Sequence, residues 1–205
     1  MHGNRSRSDG GAVWLDGASA EISATRLQFN RAGGLAGGIM MSGSSSLDMV
    51  NCLMLGNAAS GATSALHCNP SSLGVSLANC TFASDSGGGG VSCSLAGRTD
   101  ILNSAFTGRV SFGGGQPSAS FNCVPADWSG YGNGNIASDP MLTGAGMLKA
   151  GSPCIDAGDG LLAPASDIFG NPRPAGSGAD IGCHEFADAD GDGIPDFLEG
   201  EDGVL

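Results

Sequence analysis

Cys80-Thr81-Phe82-Ala83-Ser84-Asp85 can be laid over three other stretches of this chain. They are Thr25-Arg26-Leu27-Gln28-Phe29-Asn30, Cys52-Leu53-Met54-Leu55-Gly56-Asn57 and Ser104-Ala105-Phe106-Thr107-Gly108-Arg109. The apolar anchors are Leu27, Met54, Phe82 and Phe106, at steps of 27, 28 and 24 residues. Three residues after each anchor stand Asn30, Asn57, Asp85 and Arg109. A small-residue turn running into apolar residues recurs in step: Gly11-Ala12-Val13, Gly38-Ile39-Met40, Ala65-Leu66 and Gly90-Val91. Within a repeat the alternation has period two, which means strand. It predicts that Val50, Cys52 and Met54 share one face, as do Ala78, Cys80 and Phe82, then Leu102, Ser104 and Phe106. No segment before the tail carries a helical stripe, so βαβ units are excluded. What remains is an all-β solenoid, whose coils pair in parallel and stack like residues about 4.8 Å apart. That stacking places Phe82 over Phe106 and Cys52 over Cys80.

Composition agrees. The 205 residues include 37 glycines, against an average usage of about 7%. Yet 40% are hydrophobic and fall in short runs, which a disordered tract would lack. Glycine supplies the sharp corners between faces. The net charge of −12 argues against a nucleic-acid footprint and an anionic membrane surface, and suits divalent cations. No run approaches the roughly 18 apolar residues that span a membrane. His2-Gly3-Asn4-Arg5 does not read as a signal peptide. The chain is then cytosolic or a piece of a longer secreted protein, and the second is expected because Met1 falls inside a repeat.

Two resemblances extend this reading. Asn79-Cys80-Thr81-Phe82, with the turn Gly10-Gly11-Ala12-Val13, resembles the right-handed parallel β-helix repeats of bacterial surface proteins, including the polymorphic outer-membrane repeats. The likeness covers about residues 9–123. Further on, four blocks occur in order: Trp128 to Pro140, Gly151 to Asp159, Asp167 to Arg173 and Ala179 to Phe186. This series is similar to the C-terminal end of choice-of-anchor Q proteins, bacterial β-helix proteins with a surface-sorting region. Physically it reads as an end cap. Pro140, Pro153, Pro172 and Pro174 stop strand propagation, and Asp156, Asp159, Asp180 and Arg173 bond backbone groups that have no next coil. Arg173 with Asp180 is the expected forked ion pair.

Seven cysteines occur, none in Cys-x-x-Cys spacing, so a zinc ribbon is excluded. Cys52 and Cys80, and Cys68 and Cys93, are each one coil apart and should stack, as small buried hydrophobes or as disulfides. Cys154 and Cys183 lie in matching segments of the cap. They pair in an exported protein or stay as thiols, with Cys123 left over.

The tail Asp188-Ala189-Asp190-Gly191-Asp192-Gly193-Ile194-Pro195-Asp196-Phe197-Leu198-Glu199 fills every position of the calcium-loop pattern D-x-[DN]-x-[DN]-G-x5-E. Asp188, Asp190 and Asp192 offer carboxylates on alternate residues. Ile194 offers its carbonyl, Asp196 binds directly or through water, and Glu199 closes the set. The cofactor expected is calcium. No helix precedes the loop, so it is a lone loop, similar to those of dockerin or thrombospondin type 3 repeats. A brace is expected, not a sensor, because opening a groove requires two helices.

An enzyme is not expected. A lyase of this fold needs a basic residue beside calcium on the coils, and the one lysine, Lys149, lies in the cap. Arg98 and Arg109 read as surface charge, and His67 as a packed histidine. A glycosidase needs paired carboxylates, and Glu21, Asp48, Asp85 and Asp100 are not expected at matching coil positions. Trp14, Trp128 and Tyr131 are candidates for stacking on sugars. The domain reading is therefore β-helix coils over 1–124, a C-terminal cap over 125–186 and an acidic calcium-binding tail over 187–205. The expected function is an extracellular or bacterial cell-surface scaffold or adhesin. Its partner would be a polysaccharide or a surface protein, with no nucleic acid and no membrane span. The alternative is a fragment of a carbohydrate-active enzyme.

Overall fold

The computed structural model describes residues 1–61, 65–83, 90–94, 97–113, 116–126, 128–192 and 194–196. The strands stack in parallel into a solenoid of about four turns with almost no helix. One face is built from Val13–Asp16, Ile39–Ser42, Leu66–Cys68, Val91–Cys93 and Val110–Phe112. A second takes Ser19–Ser23, Ser46–Val50, Gly74–Ala78, Arg98–Leu102 and Ser118–Ser120. The third runs through Arg26–Gln28, Leu53–Leu55, Thr81–Ala83, Ala105–Phe106, Cys123–Val124 and Ile136–Ala137. A minor sheet joins Arg5–Ser6, Arg31–Ala32 and Ala58–Ala59. Among the described residues no helix is long and apolar enough to cross a membrane.

The anchors stack as their spacing predicts. Leu27, Met54, Phe82 and Phe106 are in-register neighbours pointing into one core, and the Phe82 and Phe106 rings lie parallel at 5.0 Å. Asn30 and Asn57 form a buried amide ladder, Asn30 Nδ2 donating to Asn57 Oδ1 at 2.9 Å. Asp85, at the same repeat position, lies outside the described residues. At Gly37 the backbone passes so close to Ala58 that a Cβ would collide with it.

The predicted shared faces of Val50 with Cys52, and of Ala78 with Cys80, are not observed. Leu47 and Met49 point inward, as do Val75 and Leu77, so Val50 and Ala78 point out. The corner between the second and third faces resets the alternation. Its residues Ala24, Asn51, Asn79, Asn103 and Phe121 form a column of left-handed conformations, φ 43° to 55°. Asparagine, more than glycine, turns this corner, since its short polar side chain tolerates that conformation.

The end of the core is closed by Trp128, the first residue of the expected cap series. Its ring packs 5.7 Å from Phe106 and 5.4 Å from Phe112, with Tyr131 at 5.6 Å from Phe112. The later part of that segment, with Met147, Leu148, Cys154, Ile168, Ile181 and Cys183, runs back along the outside of the third face. Leu53 and Leu55 point outward there and are covered by Met147, Ile168 and Cys183. Ala105 and Cys123 are covered by Leu148, Cys154 and Ile181. The Arg26 guanidinium, in the first turn, sits over the Phe169 ring at 4.4 Å. An apolar outer face must be covered, and this strap covers it.

The corner asparagines dock the strap. Asn51 Nδ2 donates to the Ser166 carbonyl (2.7 Å), Asn79 Nδ2 to the Asp180 carbonyl (3.3 Å) and Asn103 Nδ2 to the Asp159 carbonyl (3.0 Å). Asp159 N–H returns a bond to Asn103 Oδ1 at 2.8 Å. Asn103→Gly keeps the left-handed corner and loses both bonds to Asp159, at an expected cost of about 1–3 kcal/mol. Asn103→Ala adds the left-handed strain, about 1 kcal/mol more. Chemical denaturation of both variants checks this ordering, and equal losses would contradict it.

All seven cysteines are buried thiols. Cys68 and Cys93 stack in register. The expected alternative of a Cys154–Cys183 bond is not found. Cys154 meets the thiol of Cys123, and that contact with burial pushes Cys154 up. Cys183 lies in another cluster, its N–H bonded to Thr81 Oγ1 at 3.0 Å.

Candidate metal centre

Aspartates on alternate residues bend a chain, because each carboxylate can take a backbone N–H a few residues ahead. The tail does this three times. Gly191 N–H bonds Asp188 Oδ1 (2.9 Å), Asp192 N–H bonds Asp190 Oδ1 (3.2 Å) and Ile194 N–H bonds Asp192 Oδ1 (2.7 Å). Gly191 takes the left-handed turn at φ 76°. Asp196 closes the loop, its N–H bonding the Ala187 carbonyl (2.8 Å) and its Oδ1 accepting from Ala189 N–H (2.8 Å).

One ligand oxygen each from Asp188, Asp190 and Asp192 lies within 4.8 Å of the other two. Calcium binds oxygens at about 2.3–2.6 Å, so two ligands of one ion stand at most about 5 Å apart. The three carboxylates fit that limit, and like charges so close favour a cation between them. Asp188 is half-buried, while Asp190 and Asp192 are exposed. Asp196 is not in this cluster of carboxylates. Ile194 is held in the loop by its bond to Asp192. Glu199, the predicted last ligand, and Gly193 lie outside the described residues.

The loop is rooted in a buried polar network that residue spacing did not predict correctly. Arg173 pairs with Glu185, not Asp180. Nη1 lies 2.6 Å from Glu185 Oε2, the two side chains being 1% and 0% exposed. Arg173 reaches only the main chain of Asp180 and Gly182, donating to their carbonyls at 3.1 and 2.9 Å. The Asp180 carboxylate faces elsewhere, accepting from the N–H of Asp156 (2.8 Å) and Phe186 (2.6 Å). Asp167 Oδ2 holds Glu185 N–H at 3.1 Å. The residues leading into the loop are thus fixed from both sides.

Burial pushes the Asp180 carboxyl up to about 7 and the His184 imidazole down to about 4. The two have opposite consequences. Unfolded His184 takes a proton near 6.5 that the folded state refuses until about 4, so its contribution is present above 6.5 and lost as pH falls to 4. Asp180 contributes stability below its unfolded value of 3.8, and this is lost as pH rises through 7. His184→Phe removes only the acid-side loss. Relative to the parent, its urea midpoint should rise as the pH drops from about 7 to about 4.5. Parallel midpoint curves would contradict this.

The second face carries a feature opposite to the expectation. Glu21, Asp48, Ser76, Asp100 and Ser118 occupy one register position on successive strands. Three acids do share a coil position, and Glu21 and Asp48 are direct neighbours. The reason lies in the unequal steps of the repeat, which the anchors already display. Arg98 Nε pairs with Asp100 Oδ2 at 2.5 Å. A cleft of about 470 Å³ adjoins this pair, with Ser76, Ser118, Phe121 and Leu162 in its lining. Trp128, 4% exposed, is core and not a sugar platform, whereas Trp14 is exposed with Nε1 bonded to Ser42 Oγ at 2.9 Å. His67 lies half-buried with Nε2 at 3.2 Å from Asn69 Oδ1. No family model, no curated protein and no solved structure matches the chain.

Proposed function

We propose that this chain is the structural β-helix of a secreted or surface-displayed protein, a stalk or adhesive scaffold whose tail is braced by one calcium ion. The reading rests on one observation above the others: three tail carboxylates offer oxygens within 4.8 Å of one another. The ligand set is Asp188, Asp190 and Asp192, with the Ile194 carbonyl, Asp196 and Glu199 completing it. Calcium supplies charge neutralisation there. The strap and its Arg173–Glu185 pair give the brace a rigid root. The solenoid is taken as right-handed, and the resemblance to choice-of-anchor Q proteins supports a bacterial surface setting. An extracellular polysaccharide or surface protein is the partner, held along the coils.

The test is calorimetric titration of calcium into chelator-treated full chain. One site is expected, abolished by Asp192→Ala. An absence of binding would reduce the tail to an acidic spacer and overturn the brace.

A second reading, a fragment of a carbohydrate-active enzyme, is favoured by the in-register pair Glu21 and Asp48. Retaining glycosidases hold two carboxyl groups about 5–5.5 Å apart, close to the strand spacing. Product release from a polysaccharide, lost in Asp48→Asn, would carry that reading. Binding without turnover would carry the scaffold.

A further inference from the structure

We infer that Cys68 and Cys93 are a disulfide-forming pair whose oxidation staples two successive coils through the core. They are register partners on adjacent parallel strands, both side chains point inward, and their sulfurs lie 3.6 Å apart. In-register parallel neighbours keep their Cα atoms about 4.8 Å apart, inside the roughly 4.4–6.8 Å that disulfides span. Cβ atoms of in-register parallel neighbours stand at about the same spacing, just beyond the about 3.5–4.5 Å of a relaxed bond. The two coils therefore draw together slightly when the sulfurs close to about 2.05 Å.

Three pairs of thiols are in contact, and register favours this one, whose members are partners on adjacent strands. On its other side Cys68 Sγ meets Met41 Sδ at 3.5 Å, a thioether that cannot take part. Cys52 and Cys80 also stack and their thiols meet, but both lie at a corner outside the strands and also bond main-chain carbonyls, Cys52 that of Ile22 at 3.3 Å and Cys80 that of Met49 at 3.5 Å. Cys123 Sγ meets the Cys154 thiol, which lies outside the strands, and also bonds the Ser138 carbonyl at 3.5 Å.

The oxidant is a disulfide donor of the kind found where exported proteins fold, with oxidised glutathione as its laboratory equivalent. One cysteine thiolate attacks the donor, releasing one glutathione thiol and leaving a mixed disulfide. The second cysteine displaces the other glutathione. Two protein thiols become one disulfide, and one donor disulfide becomes two thiols. In the folded chain both sulfurs are buried. Contact with Cys93 and burial also push the Cys68 thiol up, which keeps the attacking thiolate scarce. The bond therefore forms while the coils assemble, before the core closes.

The test uses the full chain, reduced and unfolded, then refolded in a buffer of oxidised and reduced glutathione, alkylated and mapped by mass spectrometry. The expected result is a loss of two of the seven free thiols, a mass lower by about 2 Da and a cross-linked peptide joining Cys68 to Cys93. Cys93→Ala should abolish the cross-link and Cys154→Ser should keep it. Should Cys93→Ala fail to fold, the map of the parent chain still decides. Seven alkylated thiols, stable glutathione adducts without an internal bond, or a bond between other cysteines would each overturn the inference. Equally fast oxidation of the already folded chain would overturn its coupling to assembly. The outcome does not depend on calcium or on where the protein resides.

Discussion

Arg173→Met is expected to lower the unfolding free energy by about 3–5 kcal/mol, the range for leaving one partner of a buried ion pair behind. The Glu185 carboxylate would remain buried, at 2.6 Å from where Nη1 had been. The carbonyls of Asp180 and Gly182 would lose their donor in the same step. Glu185 also accepts from the N–H of Ala175 (3.1 Å) and Asp180 (3.2 Å), so its charge still has partners but no counter-charge. Combining Arg173→Met with Glu185→Gln should cost less than the sum of the two single changes, because the second change removes the stranded charge. Urea unfolding of the four proteins in this cycle measures the coupling. A loss under about 1 kcal/mol for Arg173→Met would show that the pair behaves like a solvated surface bridge, and that the strap is anchored elsewhere.

Phe106→Ala is expected to cost about 3–5 kcal/mol, the range for deleting a buried phenylalanine. Phe106 is 1% exposed and stands between two rings, Phe82 on one side and the lid residue Trp128 on the other. The ladder hydrogen bonds allow only small changes in coil spacing, so neighbours cannot collapse into a gap the size of a ring. The full cavity term then applies. Phe106→Leu keeps most of the volume and should cost about 1.5 kcal/mol or less. Denaturant midpoints compare the two, and similar losses would mean that ring stacking, not volume, supports the last turn. Trp128 fluorescence provides a local reading, since its environment should loosen in the alanine variant before global unfolding.

Much of the solenoid could be read from residue order. Leu27, Met54, Phe82 and Phe106 recur at nearly one coil length, and only stacked coils give four such residues a common core. The acidic row was not expected, although it obeys the same steps. Glu21, Asp48 and Asp100 are separated by the same steps as the anchors, and following those steps places them together. The alternation across the corner was not legible from period alone. A single residue in the left-handed conformation, Asn51 or Asn79, shifts which side chains face inward, and Val50 and Ala78 end up outside.

The course of the strap and the partner of Arg173 required the tertiary structure. Proline content distinguishes a segment that cannot extend a sheet, but not whether it lies across the end of the coils or along their side. That is settled by which surface is apolar and uncovered: the end is already closed by Trp128, while Leu53, Leu55, Ala105 and Cys123 line the third face. Arg173 is seven residues from Asp180 and twelve from Glu185, and sequence distance ranks them in the wrong order. The sequence by itself determined the coil, its period, its anchors and the alternating aspartates of the tail, because those are local patterns repeated along one axis. The tertiary structure alone decided where the strap docks, which carboxylate meets the arginine and which thiols touch, because each depends on segments far apart in the chain competing for the same surface.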